Sequence, residues 1–202
     1  ATKLGLGELT GIELKGEKAG LVPSKQWKKK IKNEPWYPGE TISASIGQGY
    51  NLVTPLQSAS MISTIASGGL LVRPYLVKRI EDSDGKLIQE VFPKIRRKID
   101  IDPEVLKHLK EGLRGVVYDA RGTGHRARLK NVIVSGKTGT AQVVGMKDSE
   151  EIDPEEETPY SHRDHAWFVA FAPYEKPEVA VSVIIEHGGH GGATAAPIAG
   201  KI

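Results

Sequence analysis

The segment Ser135-Gly136-Lys137-Thr138-Gly139-Thr140-Ala141-Gln142 concentrates residue types that do chemistry: a cation, several hydroxyls, and glycines that let another backbone come close. Two kinds of chemistry compete for it. A phosphate-binding loop also contains Gly-Lys-Thr, yet it requires a glycine five residues before Gly136, where Asn131 stands, and a helix directly afterwards, where Ala141-Gln142-Val143-Val144 continues. Both requirements fail. The alternative is acyl transfer on a peptide. If the segment is an edge strand, an extended peptide adds alongside it through backbone hydrogen bonds, and Gly139 leaves room for close approach. Lys137 then supplies fixed positive charge. In that reading the hydroxyls of Thr138 and Thr140 would hold a substrate's terminal carboxylate, and the backbone N–H of Thr140 would be one oxyanion donor. For the Lys-Thr-Gly tripeptide alone, a polar strand end without chemistry is the plain alternative.

Other reactive residues offer less. Ser135-Gly136-Lys137 is one residue short of a Ser-x-x-Lys spacing and reads as a strand, where Ser135 and Lys137 share a face but lack a base-bearing helix. Two His-x-x-His pairs, His162 with His165 and His187 with His190, could in principle meet around zinc. With no Cys, no Glu between the pairs, and Gly188-Gly189 loosening the second, no metal is expected and His165 reads as a strand anchor. The absence of Cys also excludes disulfides and thiolate nucleophiles.

The elements that must position the Lys-Thr-Gly segment follow from periodicity. Asn131 to Val144, His165 to Ala172 and Val179 to Glu186 are β-prone, and the short link from Pro173 to Pro177 favours antiparallel neighbours. Val179, Val181, Val183 and Ile185 alternate with Ala180, Ser182 and Ile184, as in a strand covered on both faces. Thr54-Pro55-Leu56-Gln57 is a capping box with proline at the first helical position, and Leu56, Ala59, Ile62, Ile65 and Ala66 continue at helical spacing until Gly68-Gly69. Asp102 and Pro103 open a second helix whose apolar face comprises Val105, Leu106, Leu109, Leu113, Val116 and Val117. Between these helices, Tyr75 to Ile80 and Leu87 to Phe92 flank Asp82-Ser83-Asp84-Gly85 as a hairpin. Residues from Ala193 to Ile202 begin a further helix. The first forty residues, punctuated by Pro35 and Pro38, read as irregular chain around short helical turns. The fold class is therefore α/β of the α+β type, an antiparallel sheet flanked by helices.

Composition sets wider bounds. The chain has 202 residues, 39% hydrophobic and 26% charged, the make-up of one globular domain. No apolar stretch is long enough for a membrane helix. The net charge of +3 gives no footing for a nucleic-acid partner. Its basic residues gather at Lys25, Lys28, Lys29, Lys30 and Lys32, a short helix with a solvated face capped by Ser24, whereas Asp148 to Glu157 reads as an acidic solvated loop. Trp167 on its apolar strand reads as core, and Trp36-Tyr37 beside two prolines as a contact or a packed loop. The opening Ala1-Thr2-Lys3-Leu4, without Met, is expected in a piece of something longer.

Taken in order, Ser45-Ile46-Gly47-Gln48-Gly49 with Thr54-Pro55-Leu56-Gln57, then Lys137-Thr138-Gly139-Thr140-Ala141-Gln142, His165-Ala166-Trp167-Phe168 with Ala172-Pro173, and Ala195-Ala196-Pro197-Ile198 resemble class B penicillin-binding proteins. The opening Gly5-Leu6-Gly7-Glu8, Thr10-Gly11-Ile12-Glu13-Leu14 and Gly20-Leu21-Val22-Pro23-Ser24 are similar to the rod-shape branch of that family, the penicillin-binding protein 2 type. The resemblance implies that residues 1–202 are the C-terminal portion of a penicillin-binding transpeptidase domain of the β-lactamase/transpeptidase-like fold. It implies Lys137, Thr138 and Gly139 as catalytic residues, Thr140 and Gln142 as substrate-binding residues, and no cofactor. The family's Ser-x-x-Lys helix, which bears the nucleophile, and its Ser-x-Asn segment are expected upstream of Ala1 and absent from this chain. The parent protein would be a serine D,D-transpeptidase that cross-links peptidoglycan stem peptides, is acylated by β-lactams, and works with cell-elongation or divisome membrane proteins at the periplasmic face of the inner membrane, anchored outside this chain; the fragment itself would be inactive. A reading from another class is a non-catalytic scaffold of the same fold. A Ser-x-x-Lys upstream decides for the enzyme.

Overall fold

The computed structural model describes residues 1–143 and 159–202. The expected acidic loop from Asp148 to Glu157 and the last residue of the first expected strand, Val144, lie outside the described residues. Among the described residues, five α-helices, α1 (Lys25–Lys32), α2 (Pro38–Ser45), α3 (Pro55–Ala66), α4 (Pro103–Tyr118) and α5 (Ala195–Ala199), accompany seven strands: β1 (Leu70–Arg73), β2 (Arg79–Glu81), β3 (Leu87–Glu90), β4 (Lys94–Lys98), β5 (Ser135–Ala141), β6 (His165–Ala172) and β7 (Val179–Ile185).

The organising unit is a three-stranded antiparallel sheet in the order β5-β6-β7. Its middle strand alternates strictly. Ala166, Phe168 and Ala170 enter a core with Val117, Val134, Val183 and the Ala195-Ala196 pair of α5, while Phe171 on the opposite face meets Ile62, Ile65 and Ala66 of α3 and Leu113 of α4. Burying each phenylalanine contributes roughly 2–3 kcal/mol of transfer free energy. Of the β7 side chains only Val183 is fully buried, because this strand lies at a sheet edge and its far end, at Val179, is exposed.

Helix α3 forms as its capping box requires: the Thr54 hydroxyl accepts from the Gln57 N–H at 3.1 Å and the Gln57 side chain accepts from the Thr54 N–H at 3.0 Å. Helix α4 departs from its expected face. Leu113 and Val117 are buried, but Val105 is 58% and Leu109 40% exposed, since only the C-terminal half of the helix lies against the sheet. The expected hairpin exists as β2 and β3, shorter than predicted, and the pairing of β1 with β4 that encloses it went unpredicted. Their alternation is masked by Arg73, Lys94, Arg96 and Lys98.

Polar anchors hold the first seventy residues. Gln57, 1% exposed, donates to the carbonyls of Glu8 at 2.8 Å and Ala19 at 2.7 Å. Thr10 and Glu17 hydrogen-bond through side chain and backbone, and Glu8 pairs with Arg96 and Arg97. Pro38, expected to interrupt the chain, instead opens α2 at the position where no N–H is missed. The basic helix is not a solvated face throughout: Lys25, Lys29, Lys30 and Lys32 are exposed, but Lys28 is 1% exposed. Its ammonium pairs with Glu40 and with Glu34 and sits 4.4 Å from the centre of the Tyr37 ring. Burial acts to lower the Lys28 pKa, but hydrogen bonds to Glu40 and Glu34 outweigh it and raise the pKa, while the bond to Lys28 lowers that of Glu40.

Candidate active site

Among the described residues β5 ends the sheet, and no strand pairs along its other long side. Its direct partners on β6 fix which way each side chain points. Ser135, Lys137, Gly139 and Ala141 lie opposite Phe171, Val169, Trp167 and His165 on one face; Gly136, Thr138 and Thr140 lie opposite Ala170, Phe168 and Ala166 on the other. The strand thus divides the expected site residues: Lys137 and Gly139 on one face, the two threonines on the other.

The threonine face borders a groove of about 560 Å³ lined by Thr123, Arg126, Thr138, Thr140, His190 and Gly191 among others. Thr138 and Thr123 share a hydroxyl hydrogen bond of 2.8 Å. Arg126 donates to the Ala193 carbonyl at 2.9 Å, which tethers the far wall. That wall packs hard on the sheet, since a Cβ at Gly191 would stand 2.0 Å from the Trp167 carbonyl oxygen and 2.5 Å from that of Gly139. Lys137 is exposed, and its ammonium donates to the Thr138 carbonyl at 2.9 Å. Gln48, from the loop between α2 and α3, donates its side-chain amide to the Thr140 carbonyl at 2.7 Å.

The close approach at Gly139 is to Trp167, whose Cβ a Gly139 Cβ would meet at 3.2 Å. Trp167 is accordingly half-buried beside the glycine and not a core residue, a correction that follows from its face: it lies in line with Lys137 and His165, away from Phe168. Gln142 follows the end of the strand and is exposed. Ser135 is fully buried opposite Phe171, with its hydroxyl unpartnered, and offers no surface to a substrate.

The Ser-x-x-Lys spacing expected to be absent occurs once after all, at Ser83-Asp84-Gly85-Lys86. It occupies the exposed turn between β2 and β3, where the Asp82 carboxylate accepts from the Lys86 N–H at 2.9 Å and Gly85 has φ 80°. A lysine needs a helical turn to come alongside a serine three residues earlier, so this turn does not build a nucleophile. The histidines do not converge either. His165 and His187 touch ring to ring at 4.8 Å, with the His187 N–H donating to His165 Nδ1, while His190 lines the groove. Among the described residues no group of three His, Cys, Asp or Glu side chains forms a metal-binding cluster.

Sequence reasoning missed Thr123, Arg126 and the hydrogen-bonding role of Gln48, and it weighed His190 only as half of a zinc pair, not as part of the groove. Thr123, Gln48 and His190 each stand between two glycines, a pattern that marks a polar side chain presented by a tight loop; nothing local marks Arg126.

Known proteins resemble this chain in sequence and in fold. The chain is 39% identical over 203 residues to the peptidoglycan D,D-transpeptidase MrdA of Haemophilus influenzae, covering 98% of this chain and 30% of that protein. It superposes on penicillin-binding protein A of Mycobacterium tuberculosis, in a ceftriaxone acyl-enzyme complex, with a TM-score of 0.78 at 30% identity, covering 99% of this chain and 40% of the other. PBP2 of Helicobacter pylori, in complex with MreC, gives a TM-score of 0.74 at 33% identity, covering 99% and 34%. The chain therefore spans about a third of the length of the curated relatives it matches. The family model of the penicillin binding protein transpeptidase domain matches residues 1–202, and the chain belongs to that family.

Proposed function

We propose that these residues are the C-terminal portion of a peptidoglycan D,D-transpeptidase domain and form one wall of its acyl-transfer site. The observation that carries this reading is the open side of β5, with Thr138 and Thr140 beside a groove that also holds Arg126 and with Lys137 on the strand's other face. A stem peptide ending in a carboxylate lies along β5. Its carboxylate meets the hydroxyls of Thr138 and Thr140 in the field of Arg126, and the Thr140 N–H donates to the carbonyl oxygen of the penultimate residue as that oxygen gains charge. Lys137 supplies positive charge from the other face. A serine from the family's Ser-x-x-Lys helix attacks that carbonyl carbon and the terminal residue leaves as the free amine. The amine of a second stem peptide then attacks the resulting ester, releases the serine and completes the cross-link. Gln142 is placed to contact the peptide beyond the strand end.

The named relatives support this reading: one is a peptidoglycan D,D-transpeptidase and another forms an acyl-enzyme with ceftriaxone. The relative that binds MreC supports a cell-elongation protein as partner, and the likeness to peptidoglycan D,D-transpeptidases supports work at the periplasmic face of the inner membrane. Intact-mass detection of a penicillin adduct, on this chain and on the full-length protein side by side, tests the reading. An adduct on the full-length protein alone is expected. Labelling of the chain itself would show that it contains a nucleophile, and labelling of neither would favour a non-catalytic scaffold.

A further inference from the structure

The carbonyls of Thr138 and Thr140 on β5 are already hydrogen-bonded by side chains. Lys137 takes that of Thr138 from the neighbouring position, but the Thr140 carbonyl is held by Gln48, 92 residues earlier in the chain. In an extended strand the N–H and C=O of one residue point to the same side, so the bond from Gln48 marks the side on which both backbone groups of Thr140 are presented. Gln48 is itself firmly placed. Its N–H donates to the Ser43 carbonyl at 2.9 Å, and its carbonyl accepts at 2.9 Å from the Asn51 amide, which also reaches Ala44. The flanking Gly47 and Gly49 take left-handed φ values of 81° and 69°, closing the loop tightly around it.

We propose that Gln48 is a positioning residue for the acyl donor, its side-chain amide holding the Thr140 carbonyl on the open side of β5 as acceptor for the donor residue's own N–H. The inference rests on the transpeptidase reading. In an antiparallel hydrogen-bonded pair two residues exchange both bonds, so the residue whose carbonyl oxygen receives the Thr140 N–H also gives its N–H to the Thr140 carbonyl. A carbonyl oxygen has two lone pairs, one for Gln48 and one for the substrate. Support is needed here because β5 ends at Ala141, one residue further on, where the last peptide unit of a strand is otherwise loosely held.

Two acylating probes separate this role from a structural one. A penicillin carries an acylamino N–H on the carbon next to its reactive carbonyl, as a peptide residue does; a carbapenem carries a hydroxyethyl group there and has no such N–H. Acylation rates of the full-length protein by both are compared for wild type, Gln48→Ala and Gln48→Glu, the last keeping the size but presenting no donor at neutral pH. Penicillin acylation is expected to slow about tenfold in both variants, the loss of roughly one hydrogen bond, while the carbapenem rate changes little. The ratio of the two rates does not depend on how much protein is folded. Equal slowing with both probes, or penicillin rates unchanged or faster in the variants, overturns the proposal alone. A wild-type protein that reacts with neither probe overturns the transpeptidase reading and this inference with it.

Discussion

The two halves of the molecule are held together by different forces. The sheet from β5 to β7 rests on apolar contacts around Phe168 and Phe171, with the helices laid on both faces. The segment ahead of α3 rests on buried polar groups: the Gln57 amide that reaches it from α3, the Thr10 and Glu17 pair, and the Lys28 ammonium between Glu34 and Glu40. The site stands on the first kind of structure, which tolerates an exposed, chemically specialised edge because its core does not depend on that edge. The second kind reaches β5 through the Gln48 side chain.

This contrast can be broken or sharpened in four ways. The largest effect is expected from Phe168→Ala, about 3–5 kcal/mol of stability by denaturant unfolding, as for other fully buried phenylalanines. Next comes Lys137→Ala in the full-length protein: β-lactam acylation falls on the order of 100-fold while the unfolding midpoint stays put, since an exposed side chain does little for the core. A matching loss of stability would place Lys137 in the structure and remove it from the chemistry. Gln57→Ala follows at about 2 kcal/mol, through the backbone groups it leaves without partners. A cost equal to that of Phe168→Ala would erase the distinction between the halves.

The smallest effect concerns pH. Folding lowers the pKa of Glu40, so the stability it lends is present above the ordinary carboxylate pKa of about 4.3 and is lost as pH falls through the lowered value. Folding raises that of Lys28, whose contribution is complete below about 10.4 and is lost as pH rises through the raised value. Thermal unfolding followed across pH should show both edges in the wild type, and Lys28→Met should flatten them. Unaltered edges in the variant would assign them to other groups.

Legibility in the sequence follows the same division. Where apolar residues repeat at a helical or strand period, as in α3, β6 and β7, the elements and their antiparallel order could be read directly, and the Lys-Thr-Gly strand fell where expected. Polar anchoring has no period. Nothing about Lys28 distinguishes it from Lys29 in the sequence, yet only one is buried, because the deciding partners, Glu34 and Glu40, lie in a separate element and its connecting loop. The pairing of β1 with β4 was hidden for a related reason, its exposed face being charged. Within the site, the face on which each side chain falls was legible once the strand was assigned. The arrival of Thr123, Arg126 and Gln48 from distant segments was not, since one sequence records no contacts.

The side chains that occupy the Thr138 and Thr140 carbonyls also bear on how the molecule behaves in concentrated solution. A bare strand edge is a template on which another copy can assemble, and proteins commonly guard such edges with a lysine. Lys137 carries charge at that border, where its ammonium lies against the Thr138 carbonyl, whereas Gln48 uses one lone pair of the Thr140 carbonyl. The charge of Lys137 thus makes β5 a poor nucleus for aggregation.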